Sequence, residues 1–285
     1  MKVIENLNLK NYNAYQIESY CSKAYFPESI NDFFYLLSNE TSDRKIIIGN
    51  GNNIILSKDY YEEAFIIING CFDSIEVEGT VVQAEAGTTL LQLSKVALEN
   101  DLTGFEIFYD IPSSVGGAVV MNAGSKAGEI KDILLKVQYL DLTDNQIREI
   151  SKNEISFEYR NSFFQRNPDK IVLKAWFHLK KGYKEEIESL MERIKRERWE
   201  KQPREYPNCG SVFKRPPGRF VGPMLDELGL KGYSVGGAKI SEKHSGFIVN
   251  MGNASGRDIL DLIRFAQDKV KEKFRVVLEV EQRII

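Results

Sequence analysis

The stretch 110–124, DIPSSVGGAVVMNAG, constrains this chain more than any other part of it. A proline and two serines precede a double glycine, a small apolar run follows, and Asn122 and Gly124 close it. Gly116 and Gly117 carry no Cβ, so the sequence predicts a backbone there that reaches positive φ and brings its N–H groups close to a ligand. A tight turn into a buried helix is the plain alternative for such a stretch taken alone.

A chain of 285 residues is long for one core, and two or three compact units are expected. With 42% hydrophobic and 28% charged residues it has the composition of a globular protein, not of a disordered one. The 38 basic and 41 acidic side chains leave a net charge of −3, so nothing draws the whole chain to nucleic acid or to an anionic membrane. Any anion site must be local. Cys21, Cys71 and Cys209 form no CxxC pair, and with only His178 and His244 beside them the sequence offers neither a disulfide framework nor a metal set. The opening MKVIENLNLK has no apolar leader core, and the longest apolar run, near 64–68, is too short for a membrane span. A cytoplasmic protein is expected.

Read in order, residues 1–28 are mixed and aromatic, and a helix is predicted over 29–39 with Phe33, Phe34, Leu36 and Leu37 inward. Two short β-branched runs, 45–48 and 54–56, flank the loop GNGNN at 49–53. That loop lacks the third glycine of a dinucleotide fingerprint, since Ile54 stands there and a strand follows, which disfavours a Rossmann fold. It is open to two readings: a cradle of N–H groups and asparagine amides for a pyrophosphate, or a solvent-exposed hairpin loop. Strands are predicted at 65–68, 74–77 and 81–84, then a helix capped by Thr88 through Leu98, in α+β order. Beyond the opening stretch come a hairpin at 134–140 and 147–150, a strand at 170–179 and a helix at 184–199. The last turns of that helix and its exit, with Arg193, Lys195, Arg196, Arg198, Lys201 and Arg204, form a basic patch that is either a solvated helix end or a phosphate-facing wall. The turn-rich QPREYPN at 202–208 suggests a boundary. Past it we expect a helix over 220–228 closed by Gly229, a strand at 246–250, a long helix at 255–274 opened by a Ser255/Asp258 capping box, and a final strand at 276–281.

Taken together these stretches resemble the family of UDP-N-acetylenolpyruvoylglucosamine reductases, flavoenzymes of bacterial cell-wall precursor synthesis. The segments that carry the resemblance are IIIGNGNNIIL, EAGTTLLQLSKVALENDLTGFEIFYDIPSSVGGAVVMNAG, FEYRNSFF, NCGSVFKRP, LGLKGYSVGGAKISEKHSGFIVN and LEVEQRII, in the family's order from about residue 44 to the C-terminus. Their short spacing resembles the shorter of the family's two types. The resemblance implies an α+β chain with a non-Rossmann, PCMH/VAO-type FAD-binding domain in two subdomains (1–200, divided near 58), followed by a smaller α+β substrate-binding domain (201–285). It also implies the reaction: NADPH reduces tightly bound FAD at N5 and leaves, and the enolpyruvyl UDP-sugar then takes the hydride at C3 and a proton at C2.

The resemblance assigns FAD to Ile48, Gly49, Asn50, Gly51, Asn52 and Asn53 in the first loop, and to Pro112, Ser113, Ser114, Val115, Gly116, Gly117, Asn122 and Gly124 in the second. Hydride arrival at C3 drives negative charge through C2 into the carboxylate, so a fixed cation and a proton source are needed. By resemblance Arg160 grips the carboxylate, Ser211 protonates C2, and Glu281 supports the polarised carboxylate. Strand period puts Glu279 on the same face as Glu281, and only the resemblance selects between them. Lys214, Arg215, Gln202 and Asn250 are the candidates for the substrate diphosphate. The chain departs from the family at Ser113, where Gly is usual, at Asn52, where Ser is usual, and at Glu18-Ser19, where Gly-Gly is usual. A flavin- and nucleotide-sugar-binding paralogue without turnover is the alternative. An FAD oxidase on the same fold, or a hydrolase using Cys209 and His244, agrees less well with these motifs.

Overall fold

The computed structural model describes residues 1–39 and 45–285. The chain forms two compact units, one of Met1–Ile4, Ala24–Asn50 and Ala64–Arg198, the other of Glu5–Lys23, Gly51–Glu63 and Trp199–Ile285. Each has its own apolar core.

In the first unit, an antiparallel sheet runs in the order Gln146–Ser151, Leu134–Asp141, Lys170–His178, Val81–Glu85 and Ile75–Glu78. Alternate residues of the inner strands, among them Val82, Ala84, Val137, Leu173, Ala175 and Phe177, are buried, as period-2 patterning requires of a sheet covered on one face. Helix Leu90–Glu99 joins the same core through Leu90, Leu93 and Ala97. Its N-cap is Thr89, in a capping box with Gln92, and not the predicted Thr88, whose main chain pairs with Glu85 and Val115 instead. Phe105 sits edge-on to Phe177 at 5.1 Å and to Phe108 at 5.8 Å. A smaller parallel ladder pairs Lys45–Ile48 with Ala64–Ile67, and Ala24 and Tyr25 pair with Phe65 and Ile66 on its other side. Helix Ile30–Asn39 belongs to the same core through Phe33 and Leu36.

The second unit is built on helix Gly256–Phe274, whose inward stripe is Ile259, Leu262, Ile263, Ala266 and Val270. Ser255 caps it with Asp258 in the expected box. A three-stranded antiparallel sheet, Ser234–Val235, Ala238–Ile240 and Ile248–Asn250, shares this core with helix Val221–Glu227, and Gly229 takes the left-handed φ of 69° that ends that helix's run.

Two sequence expectations are corrected here. The runs flanking GNGNN do not pair as a hairpin: Lys45–Ile48 pairs with Ala64–Ile67, and Ile54–Ile55 pairs in parallel with Arg283–Ile284. The closing ladder strand therefore lies at Arg283–Ile284 and not over 276–281. The latter run is held by an isolated bridge between Val280 and Phe213 and by single main-chain bonds. The mixed first 28 residues contain two strands, Lys2–Asn8 and Tyr20–Phe26.

Candidate active site

In the first unit the two glycine-bearing loops meet. Strand Lys45–Ile48 delivers Gly49 against Ser114 so closely that a Cβ on Gly49 would lie 2.4 Å from Ser114 Oγ. Next to it, Asn50 Oδ1 is buried and has no hydrogen-bond partner among the described residues. A buried amide oxygen in that state costs free energy unless a donor reaches it. Glycine packing against Ser114 beside an unsatisfied acceptor is a local arrangement that fits a bound cofactor.

The opening stretch itself differs from its reading. Residues Val115–Met121 are a short helix, with Ser114 as N-cap accepting from Gly117 N, so Gly116 and Gly117 have ordinary negative φ. The glycines serve packing: a Cβ on Gly116 would come 3.1 Å from that of Ala86, and Gly116 N donates to Ala86 O at 2.9 Å. The plain alternative, a turn into a buried helix, describes the backbone. The Ser113 hydroxyl turns to Ser114 O at 3.0 Å, Val115 is fully buried, and Pro112 is exposed.

The left-handed residue is Asn122, with φ 46°, closing that helix. Its side chain is wholly buried and committed: Nδ2 donates to Glu129 Oε2 and Glu158 O, both at 3.0 Å, and Oδ1 accepts from Lys131 N. Its amide is thus fully used within the fold. Its main chain has another use, because Arg160 Nη1 reaches Asn122 O at 3.4 Å and Nη2 reaches Gly124 O at 2.9 Å. Gly124 has no room for a side chain, since a Cβ there would lie 2.3 Å from Gly128 O. Arg160 is half-buried, has φ 54°, and lies in a tight turn bridged between Glu158 and Asn161. Ser162 Oγ ties that turn to Val120 O at 2.7 Å. A left-handed non-glycine residue held by its surroundings is a recurrent feature of functional sites.

In the second unit, Ser211 and Glu281 share a frame. Ser211 bridges Phe247, Glu281 N donates to Val212 O at 2.8 Å, and Lys214 N donates to Glu279 O. Ser211 is exposed, and its hydroxyl has no partner among the described residues. Glu279 and Glu281 now separate: Glu279 is exposed and pairs with Lys214, whereas Glu281 is half-buried. From the first loop, Asn53 Nδ2 donates to Glu281 O at 3.3 Å and Asn53 O accepts from Arg283 N. Gly51, at φ 67°, packs so tightly on Tyr12 that a Cβ would fall 2.0 Å from its carbonyl oxygen. Asn52 is half-buried in the turn between them.

The diphosphate candidates divide. Asn250 is 3% exposed, with Nδ2 on Tyr15 O and Oδ1 accepting from Gly252 N and Ala254 N, so its side chain is used to support the fold. Lys214 is paired with Glu279, and Arg215 lies over the Phe220 ring at 4.0 Å. Gln202 is half-buried, and its carbonyl accepts from Arg204 N. The basic patch is partly neutralised, with Arg198 on Asp110 at 2.9 Å and Lys195 near Glu192.

The disfavoured Cys209 nucleophile gains no support from its surroundings. Burial pushes its thiol up to about 12, and Sγ donates to Ile54 O at 3.3 Å. His244 is held below its usual pKa by burial, and its Nδ1 accepts from Gly246 N, which describes a neutral residue shaping its own turn. Two residues that the sequence reading passed over stand beside the frame of Ser211 and Glu281: Gln282 and Tyr15, both buried and joined by a hydrogen bond of 2.9 Å. A glutamine in step with the apolar Leu278 and Val280 was the available signal, because a polar residue seldom continues an apolar row of an extended run.

Comparison with known proteins identifies the family. Residues 202–285 match the family model described as UDP-N-acetylenolpyruvoylglucosamine reductase, C-terminal domain, and residues 26–151 match an FAD binding domain. The chain is 42% identical to the UDP-N-acetylenolpyruvoylglucosamine reductase of Caldanaerobacter subterraneus, over 100% of this chain and 94% of the relative. It is 39% identical to that of Francisella tularensis, over 99% of each chain. The crystal structure of the Thermus caldophilus reductase superposes with a TM-score of 0.85 at 33% identity, covering 100% of this chain and 99% of that one.

Proposed function

The chain belongs to the family of UDP-N-acetylenolpyruvoylglucosamine reductases, and from that premise we propose that it reduces the enolpyruvyl ether of its UDP-sugar to the lactyl ether, UDP-N-acetylmuramate, with NADPH as electron source. It is an oxidoreductase with an FAD-binding domain, acting in peptidoglycan precursor synthesis. No helix among the described residues is long and apolar enough to cross a membrane, and we read the enzyme as cytoplasmic. The FAD-binding part lies within residues 1–200 in this reading, and the substrate-handling part within 201–285.

FAD, when bound, supplies the hydride carrier between the nicotinamide and the olefin. Ile48, Gly49, Asn50, Gly51 and Asn52 with Pro112, Ser113, Ser114, Val115, Gly116 and Gly117 would hold it, Asn50 Oδ1 offering a buried acceptor to one of its donors. The reaction then adds one hydride to C3 and one proton to C2, leaving the carboxylate intact. Arg160, always charged and carrying forked donors, holds the carboxylate as negative charge moves into it. Ser211 gives its hydroxyl proton to C2: serine is a weak acid, but an enolate-like carbon is a strong enough base to take it. Glu281 serves the carboxylate side. Lys214, Arg215 and Gln202 are left for the diphosphate.

The single observation that carries this reading is the frame of Ser211 and Glu281, a proton donor and an acid fixed by the main-chain bond from Glu281 N to Val212 O. The test is anaerobic. Protein reduced by NADPH is mixed with the enolpyruvyl UDP-sugar, and stoichiometric reoxidation of the flavin is expected. A flavin that stays reduced with that substrate, and reoxidises only in oxygen, overturns the reading.

A further inference from the structure

Gln282 follows Glu281 directly and is 3% exposed. A buried primary amide is costly unless both its ends are satisfied. Here both are. Oε1 accepts from the Tyr15 hydroxyl at 2.9 Å, and Nε2 faces three successive carbonyls, those of Cys209 at 3.1 Å, Gly210 at 3.4 Å and Ser211 at 3.5 Å. Tyr15 is fully buried, and its own carbonyl accepts from Asn250 Nδ2 at 2.7 Å. Burial raises the Tyr15 pKa, so the phenol keeps its proton and remains a donor.

Three consecutive carbonyls directed at one amide define a crook in the chain. Gly210, at φ 77°, makes the crook possible, and Asn208 Oδ1 accepting from Gly210 N holds its outer side. Ser211 leaves this crook with its side chain exposed. Gln282 is thus linked to both members of the frame: it is the neighbour of Glu281 in sequence, and its two N–H donors are shared among carbonyls of which Cys209 O is the nearest and Ser211 O, at 3.5 Å, the farthest. An apolar residue at 282 would fill the space without fixing any of these carbonyls, and the polar one is tolerated only because the amide is fully used.

We propose that Gln282 and Tyr15 are positioning residues for the proton transfer: Tyr15 orients the Gln282 amide, and the amide clamps the 209–211 main chain so that the Ser211 hydroxyl is aimed at C2. This rests on the assignment of Ser211 as the proton donor. Both side chains are buried, and their effect passes through the main chain of the donor.

The test uses the FAD-loaded protein in single-turnover form and compares Gln282→Leu, Tyr15→Phe, Ser211→Ala and the double variant Gln282→Leu/Ser211→Ala. Reduction by NADPH is expected to stay within about twofold in Gln282→Leu and Tyr15→Phe, because no proton reaches C2 in that half-reaction. Reoxidation by the enolpyruvyl UDP-sugar is expected to slow by about 10- to 100-fold in Gln282→Leu, with substrate affinity little changed and a larger solvent deuterium isotope effect. In the Ser211→Ala background the same substitution is expected to add little, since two residues serving one step are not additive. Equal loss in both half-reactions, or full additivity with Ser211→Ala, overturns the positioning role. Ser211→Ala reoxidising at the unaltered rate overturns the donor assignment and this inference with it. A slow Ser211→Ala beside a fast Gln282→Leu overturns the positioning role alone. Should Gln282→Leu not yield folded holoprotein, Tyr15→Phe decides, as it removes a single oxygen atom: about 3- to 10-fold slower reoxidation with normal reduction is expected from the lost orienting bond, and unchanged reoxidation overturns the proposal.

Discussion

Arg160 donates through Nη2 to the main-chain carbonyl of Gly124 at 2.9 Å, so the last residue of the glycine-rich stretch orients the cation proposed to hold the substrate carboxylate. The glycine is needed for space, because a side chain at 124 would run into Gly128 O.

Arg160→Lys keeps the charge and loses the fork. A lysine offers one ammonium where the guanidinium offers a planar set of donors, so it cannot hold two main-chain carbonyls and grip a carboxylate with the same geometry. We expect flavin reduction by NADPH to be preserved and reoxidation by the enolpyruvyl substrate to fall by about 10²-fold, the usual weight of one preorganised donor. Stopped-flow absorbance of the flavin in each half-reaction checks it.

Gly49→Ala places a methyl group 2.4 Å from Ser114 Oγ, too close for any real Cβ contact. The strain of overpacking such a contact is about 1–3 kcal/mol, and it falls on the strand end and the loop assigned to FAD. Purified Gly49→Ala is expected to lose FAD on dilution at concentrations where the parent retains it. The ratio of flavin to protein absorbance after gel filtration measures this.

Local elements were the legible part of this fold. The Ser255/Asp258 box and the inward stripe from Ile259 to Val270 specify the long helix without outside help, and the alternation in 134–150 specifies the hairpin. Pairing over long separations was not legible. The alternating run 276–284 says that a chain is extended but not what it pairs with, and its ladder partner is Ile54–Ile55, far away in sequence. The double glycine misled for a related reason: a missing Cβ permits positive φ and permits close packing equally, and only the nearness of Ala86 decides for packing. Arg160 and Ser211 stood out through resemblance. Tyr15 and Gln282, 267 residues apart, could not be paired by any local pattern.

His244 gives a pH dependence of definite sign. Burial holds its pKa below the ordinary histidine value, so the folded state prefers the neutral ring that accepts from Gly246 N. Stability from this group is fully present above the unfolded pKa and is lost as pH falls towards and through the folded pKa, because the unfolded chain binds the proton more readily. Thermal melts between pH 7.5 and 5 are expected to show a decline beginning near pH 6.5 that is shallower in His244→Gln. Equal slopes in the two proteins would count against it.

Asn122 separates backbone conformation from hydrogen bonding. Its φ of 46° tolerates glycine and strains alanine, while its amide satisfies Glu129, the carbonyl of Glu158 and the N–H of Lys131. Asn122→Gly is expected to lose the side-chain bonds alone, and Asn122→Ala to lose them and add about 1–2 kcal/mol of left-handed strain. Both substitutions free the Glu158 carbonyl, two residues before Arg160, so reoxidation by substrate should slow in both. The melting temperature should fall further in Asn122→Ala. Chemical denaturation and stopped-flow reoxidation of the same preparations distinguish the two effects: equal stability of the two variants would remove the strain argument, and normal reoxidation in both would detach Asn122 from the placement of Arg160.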